Sequence, residues 1–257
     1  MGMVFEDREE AGRRLAEALP QFREQPDTVL LGLARGGIPV AVAAAKVLHL
    51  PYGAVLVRKL GIPGHGETAF GALAYTAAVA AGGAAERAAE DAGGAASAEA
   101  GGPAPAGPGP ETGGPEPGRI VRLLNRPLVE RILENGVRQE WMDQVESRER
   151  DELLRRAETY PGGHLELHGK TVLLVDDGLA TGATMRAAVE AVRSAGASRV
   201  VAAAPVGSIE AERSLSRVCD VLCLHLPGKF RAVGSFYRHF DQLTDDDAIG
   251  LLHGANA

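Results

Sequence analysis

No stretch of this sequence approaches the ~18 apolar residues of a membrane-spanning helix, and its opening, MGMVFEDREE, is too acidic for a secretory signal. No Lys/Arg block occurs either. With a formal net charge of −7, the chain lacks the basic stripe of a nucleic-acid protein, so any basic site has to be local. Cysteine is reduced to Cys219 and Cys223, both in one apolar segment. They read as reduced core residues rather than a disulfide or metal pair. Neither a P-loop nor a G-x-G-x-x-G fingerprint is present. What remains is a chain of 257 residues, 45% apolar and 24% charged. That is enough for one domain, 1–257, with a real core, and it is expected in the cytoplasm, with no nucleic-acid or membrane partner.

The chain is organised around KTVLLVDDGLATGATMR, residues 170–186. Thr171 to Val175 is a short apolar, β-branched run of the kind found in parallel strands buried on both faces. It stops at two carboxylates, Asp176 and Asp177, and Gly178 permits a sharp turn. Thr181-Gly182-Ala183-Thr184 then opens an Ala-rich helix that Gly196 ends. The first turn of a helix offers unpaired N–H groups and the positive end of the dipole. Glycine and two threonines there make a site for a phosphate dianion. Two acids beside a phosphate make sense if they face another part of the ligand, either a sugar diol or a bound Mg²⁺. Ribose 5-phosphate has both ends.

VLLVDDGLATGAT resembles the signature of type I phosphoribosyltransferases. That resemblance implies a ligand, 5-phosphoribosyl 1-pyrophosphate, with Asp176 and Asp177 on the ribose hydroxyls and on Mg²⁺. It also implies that the loop Ala180, Thr181, Gly182, Ala183 and Thr184 wraps the 5-phosphate. In the 6-oxopurine enzymes of the family an aspartate stands where this chain has Ala180, which argues against hypoxanthine or guanine as acceptor.

Two more strand-to-loop junctions fit. Thr28–Leu33 (TVLLGL) runs into Ala34-Arg35-Gly36-Gly37 and a helix. Arg35, Gly36 and Gly37 resemble the family's pyrophosphate loop, though a βα turn that needs glycine for packing reads equally well from these residues alone. A strand over 53–59 ends in Arg58 and Lys59, and a Gly/Pro-rich segment follows. It resembles the family's flexible catalytic lid, with Arg58 and Lys59 as catalytic cations and Lys59 as the main pyrophosphate contact. His65 is an optional helper. Because ligands of parallel α/β sheets bind at the carboxyl ends of strands, the three loops should share one edge.

The expected fold class is therefore α/β: a parallel-sheet type I phosphoribosyltransferase fold with flanking helices and a flexible lid hairpin. The segment 79–118, mostly Ala, Gly and Pro, reads as a low-complexity disordered insertion. Its flanks, FGALAY and RIVRLL, read as two arms of a hairpin. A helical segment spans 127–160, and its charged second part is expected to be a solvated face. The aromatic and cationic tail around Phe230, Phe236 and Tyr237 resembles that of a subgroup of predicted phosphoribosyltransferases. It serves either to seal the sheet edge or to stack on an acceptor base.

Three readings stay open. The first is a phosphoribosyltransferase that transfers ribose 5-phosphate to an unknown nitrogenous acceptor, with a homodimer as a candidate assembly. The second is a phosphoribosyl pyrophosphate-binding regulatory module without catalysis. The third is an α/β scaffold acting through its charged helix.

Overall fold

The computed structural model describes residues 4–62, 65–75, 78–81, 120–160 and 164–253. Its centre is β1 (Thr28–Leu33), buried at every position. β2 (Tyr52–Val55) and β8 (Thr171–Val175) flank β1 in parallel, with Gly32 opposite both Ala54 and Val175. β9 (Arg199–Val206) and β10 (Asp220–His225) continue the parallel set beyond β8. At the other edge β5 (Ala78–Ala81) and β7 (His164–Leu165) add antiparallel strands, and the seven-stranded order is β10-β9-β8-β1-β2-β5-β7. The expected parallel sheet is present, with two antiparallel strands appended to it.

Helices cover both faces. α1 (Arg8–Glu17) and α2 (Gly37–Leu48) pack together on one side, against Leu30, Leu173 and Val175. α5 (Ala183–Ser194) and α6 (Ile209–Leu215) cover the other, over Leu31, Val172 and Leu174. A leucine fully removed from water contributes roughly 1.5–3 kcal/mol, so the alternation of these leucines between two faces fixes the β1/β8 register. A one-residue slip would exchange the faces. Asp7 caps α1 by accepting from the Glu10 N–H, as its spacing predicts.

One expected strand is two. The run over 53–59 breaks at Leu56, whose carbonyl accepts from the Tyr75 N–H at 3.0 Å. Beyond it, β3 (Val57–Ile62) leaves the main sheet and pairs antiparallel with β4 (His65–Tyr75). β4 in turn pairs with β6 (Ile120–Leu124), Tyr75 opposite Ile120, as the hairpin-arm reading of FGALAY and RIVRLL predicts. Arg58 and Lys59 thus lie inside a strand of a separate three-stranded sheet, not at a strand end. The first residues of the expected insertion, 79–81, belong to β5. Residues 82–118 of it, and residues 63–64 of the expected lid, lie outside the described residues, as does the His65 side chain.

The helical segment is α3 (Arg126–Glu134) and α4 (Gln139–Thr159), separated by Gly136 in the left-handed region, φ 84°. α4 is not only a solvated face: Met142, Val145 and Leu153 are buried against the core that includes Phe70 and Leu73. A short C-terminal helix, α7 (Asp245–His253), starts with Thr244 and Asp247 exchanging hydrogen bonds.

Candidate active site

The loops after β1 and β8 meet because those strands are neighbours in register. The Ala34–Arg35 peptide is cis, and Gly36 and Gly37 carry the chain into α2. A Cβ on Gly36 would lie 2.1 Å from Asp177 Oδ2, and one on Gly37 would lie 2.4 Å from the Val175 carbonyl. Glycine is required here by the close approach of two loops, not by an unusual φ. The packing reading of Gly36 and Gly37 is the one this close approach supports.

A cavity of about 920 Å³ opens above this junction. Arg35, Gly36, Arg58, Lys59, Asp177 and Thr184, all singled out from the sequence, line it together. Arg8, Arg148, Glu149, Arg156, Phe240, Gln242 and Leu243 are also on the wall. Six cations thus face two carboxylates in a chain whose net charge is −7. Such local focusing favours a polyanionic ligand.

The two acids are not equivalent. Asp177 faces the cavity, and its Oδ2 is 2.9 Å from Arg8 Nε. Asp176 does not line the cavity; its Oδ1 accepts from the Asp177 N–H at 2.9 Å. Burial raises the Asp176 pKa well above the ordinary carboxylate range, and the Asp177 charge adds to this, while Lys59 and Arg8 pull the other way. Burial also raises that of Asp177, opposed by the charge and hydrogen bond of Arg8. The expectation that both carboxylates face the ligand alike therefore changes: Asp177 is presented, and Asp176 is turned onto the backbone of its own loop.

The expected 5-phosphate loop is also divided. Thr184 lines the main cavity, whereas Thr181, Gly182 and Ala183 line a second one of about 610 Å³ with Arg126 and Arg186. Gly182, φ 73°, precedes α5, whose first turn has no acid and in which the Ala183 N–H donates to the Thr181 hydroxyl at 3.4 Å. The Ala180 carbonyl accepts from the Ser208 hydroxyl at 2.7 Å, which anchors the loop. The N-terminus of α2 has neither cap nor first-turn acid. Both helix starts leave N–H groups free for an anion.

Of the two expected lid cations, Lys59 is exposed on the cavity wall. Arg58 is already paired: its Nε donates to Glu149 Oε2 at 2.8 Å. Among the described residues no cluster of three His, Cys, Asp or Glu side chains forms a metal site. Of the two acids assigned to a metal from the sequence, Asp177 is the one on the cavity wall and would hold a Mg²⁺ there, whereas Asp176 is turned away from it.

The family model for the phosphoribosyl transferase domain matches residues 122–233. Two curated proteins of Mycobacterium tuberculosis, from two strains, are each named "Putative phosphoribosyl transferase". Each is 36% identical over 256 residues, 98% of this chain and 47% of its own length. The crystal structure of a Thermus thermophilus protein, TT1426, is 34% identical, with a TM-score of 0.67, over 99% of this chain and 100% of that one. The chain belongs to the phosphoribosyltransferase family.

Its fold is the type I phosphoribosyltransferase fold, and it spans about half the length of the curated relatives it matches. The segment matched by the phosphoribosyltransferase model holds Asp176 to Thr184, Glu149 and Arg156. Arg8, the Arg35–Gly37 loop, Arg58, Lys59 and Phe240 stand outside it. Sequence reasoning missed Arg8, Arg148, Glu149, Arg156, Phe240, Gln242 and Leu243. The arginines and the glutamate sit in ordinary amphipathic helices with no spacing that marks them. The only available signal was the cluster of aromatics and cations in the tail.

Proposed function

We propose that this domain binds 5-phosphoribosyl 1-pyrophosphate, with Mg²⁺, in the arginine-lined cavity and transfers its ribose 5-phosphate to a nitrogenous acceptor, releasing pyrophosphate. The observation that carries the reading is the junction of a strongly cationic cavity with a carboxylate, Asp177, pressed against the Gly36 loop. A diphosphate meets the cations and the N-terminus of α2, and the ribose diol meets Asp177. The phosphate at the other end of the sugar meets the free N–H groups at the start of α5.

Catalysis on this reading is positioning plus charge neutralisation of the leaving diphosphate. Lys59 and Arg35 supply fixed positive charge there. Asp177 favours the positive charge that develops on the ribose as the bond at C1 loosens. Mg²⁺, when bound, would neutralise diphosphate charge further; the carboxylate on the cavity wall that would hold it is Asp177. Ala180 places no carboxylate beside the acceptor, which disfavours 6-oxopurines.

A second reading has one observation in its favour. Arg58 is occupied by Glu149, which suits a module that binds the activated sugar as a signal and does not turn it over. Calorimetric titration with phosphoribosyl pyrophosphate and Mg²⁺ tests both readings, since each requires binding. Pyrophosphate release across a panel of bases then separates them: release with one base supports the transferase, and binding without release with any base supports the sensor. No binding removes both.

A further inference from the structure

The first and last parts of the described chain are knit together beside Asp177. Phe5 N–H donates to the Phe236 carbonyl at 2.8 Å, and the N–H groups of Arg238 and His239 donate back to the carbonyls of Phe5 and Glu6. The Phe5 and Tyr237 rings lie 5.5 Å apart, and both residues are buried. This clasp delivers Arg8 to the site. Its Nε donates to Asp177 Oδ2, its Nη1 donates to the Asp241 carbonyl at 2.9 Å, and its guanidinium carbon sits 3.9 Å from the centroid of the Phe240 ring. The Tyr237 hydroxyl donates to the Asp177 carbonyl at 2.6 Å. The acid is therefore gripped on its side chain by one end of the chain and on its backbone by the other.

We infer that Arg8, seated on Phe240, is a positioning residue that holds the Asp177 carboxylate over the Gly36 loop in the orientation that receives a ligand diol. The inference rests on the phosphoribosyl pyrophosphate reading of the site. None of Arg8, Tyr237 and Phe240 lies within the segment the family model matches. A planar fork is needed, because Arg8 makes three directed contacts at once: a carboxylate, a carbonyl and an aromatic face. A lysine ammonium keeps the charge but cannot hold that geometry.

The groups facing Asp177 are Arg8 from α1, the adjacent Asp176 and the Tyr237 hydroxyl, while Lys59 of β3 acts on Asp176. Of these, Arg8 is the cation whose charge and hydrogen bond favour ionised Asp177 against burial.

Two measurements on the full chain test the inference. In the first, phosphoribosyl pyrophosphate with Mg²⁺, which has a diol, is compared with pyrophosphate with Mg²⁺, which has none. Arg8→Lys is expected to weaken the former about tenfold or more, as loss of a directed charged hydrogen bond does, and the latter much less. Wild-type affinity for the sugar, or equal loss for both ligands, overturns the inference. In the second, the crystal structure of the ligand-free Arg8→Gln variant is expected to show the Asp177 carboxylate turned from its wild-type place over the Gly36 loop; an unmoved carboxylate sinks the role of Arg8. If the wild type binds no phosphoribosyl pyrophosphate, the proposed function fails, and the orientation of the carboxylate in the variant still decides whether Arg8 governs Asp177.

Discussion

Glu149 Oε2, on α4, lies 2.8 Å from the Nε of Arg58 on β3, with both side chains largely sheltered from solvent. This contact ties the small sheet to the long helix and occupies one of the two adjacent cations of the strand. A diphosphate entering the cavity competes with Glu149 for Arg58. Glu149→Gln should therefore tighten pyrophosphate binding by roughly threefold to tenfold, the equivalent of about 0.7–1.4 kcal/mol. Calorimetry reads this directly. Unchanged or weaker binding would show that the contact only fastens β3 to α4.

Asp177→Asn should weaken phosphoribosyl pyrophosphate binding by about tenfold to a hundredfold, the range expected when a charged hydrogen bond to a ligand is lost. The melting temperature should change far less, because Asn still fits beside Gly36 and Arg8 keeps the Asp241 carbonyl and the Phe240 ring. Equal affinity in mutant and wild type would contradict the assignment of Asp177 to the ligand.

Asp176 should behave in the opposite way to an ordinary surface acid. Its pKa in the fold is raised by burial first and by Asp177 second, so the native state holds its proton more tightly than the unfolded chain. The corresponding stability is fully present below the ordinary value of 3.8 and declines as pH rises from there through the raised value. At neutral pH the ionised form is therefore a liability. Asp176→Asn keeps an acceptor for the Asp177 N–H and removes that liability. It should raise the melting temperature at pH 7, by about 2–4 °C for each kcal/mol recovered in a chain of this size, and the gain should vanish near pH 3.8. A lower melting temperature at pH 7 would show that Asp176 is stabilised as a carboxylate.

Gly36 and Gly37 should separate binding from folding. A methyl on Gly36 meets the Asp177 carboxylate, whereas one on Gly37 meets the backbone of Val175 and Asp176. Gly36→Ala is expected to displace Asp177 and lower sugar affinity with little loss of stability. Gly37→Ala should lower stability by about 1–3 kcal/mol, the usual cost of forcing a group into a packed site. Melting and titration of the two variants side by side provide the check; the reverse pattern would contradict the geometry.

Much of this fold was legible in the sequence because its signals are local. TVLLGL and TVLLV read as strands in a chain with this alternation of elements, and their carboxyl ends fix the edge at which the cavity opens. Asp177, Gly36 and Lys59, which line the cavity, were legible for the same reason, whereas the turning of Asp176 away from it was not. The break at Leu56 was not, since nothing in GAVLVRK interrupts the apolar pattern; the chain changes sheets because β4 competes with the main sheet for its backbone. The pairing of Arg58 with Glu149 and of Asp177 with Arg8 was equally hidden. These partners are 91 and 169 residues apart, and only the tertiary fold brings them together.

The clasp between Phe5 and Tyr237 has a temporal consequence. Arg8 needs the carbonyl of Asp241, 233 residues downstream, and such distant pairings form late because they close the longest loops. On a ribosome the parallel strands β1, β2 and β8 are all available before that partner has been made. On the proposed role of Arg8, ligand competence is thus a property acquired after the sheet exists, when the tail returns to seat the guanidinium.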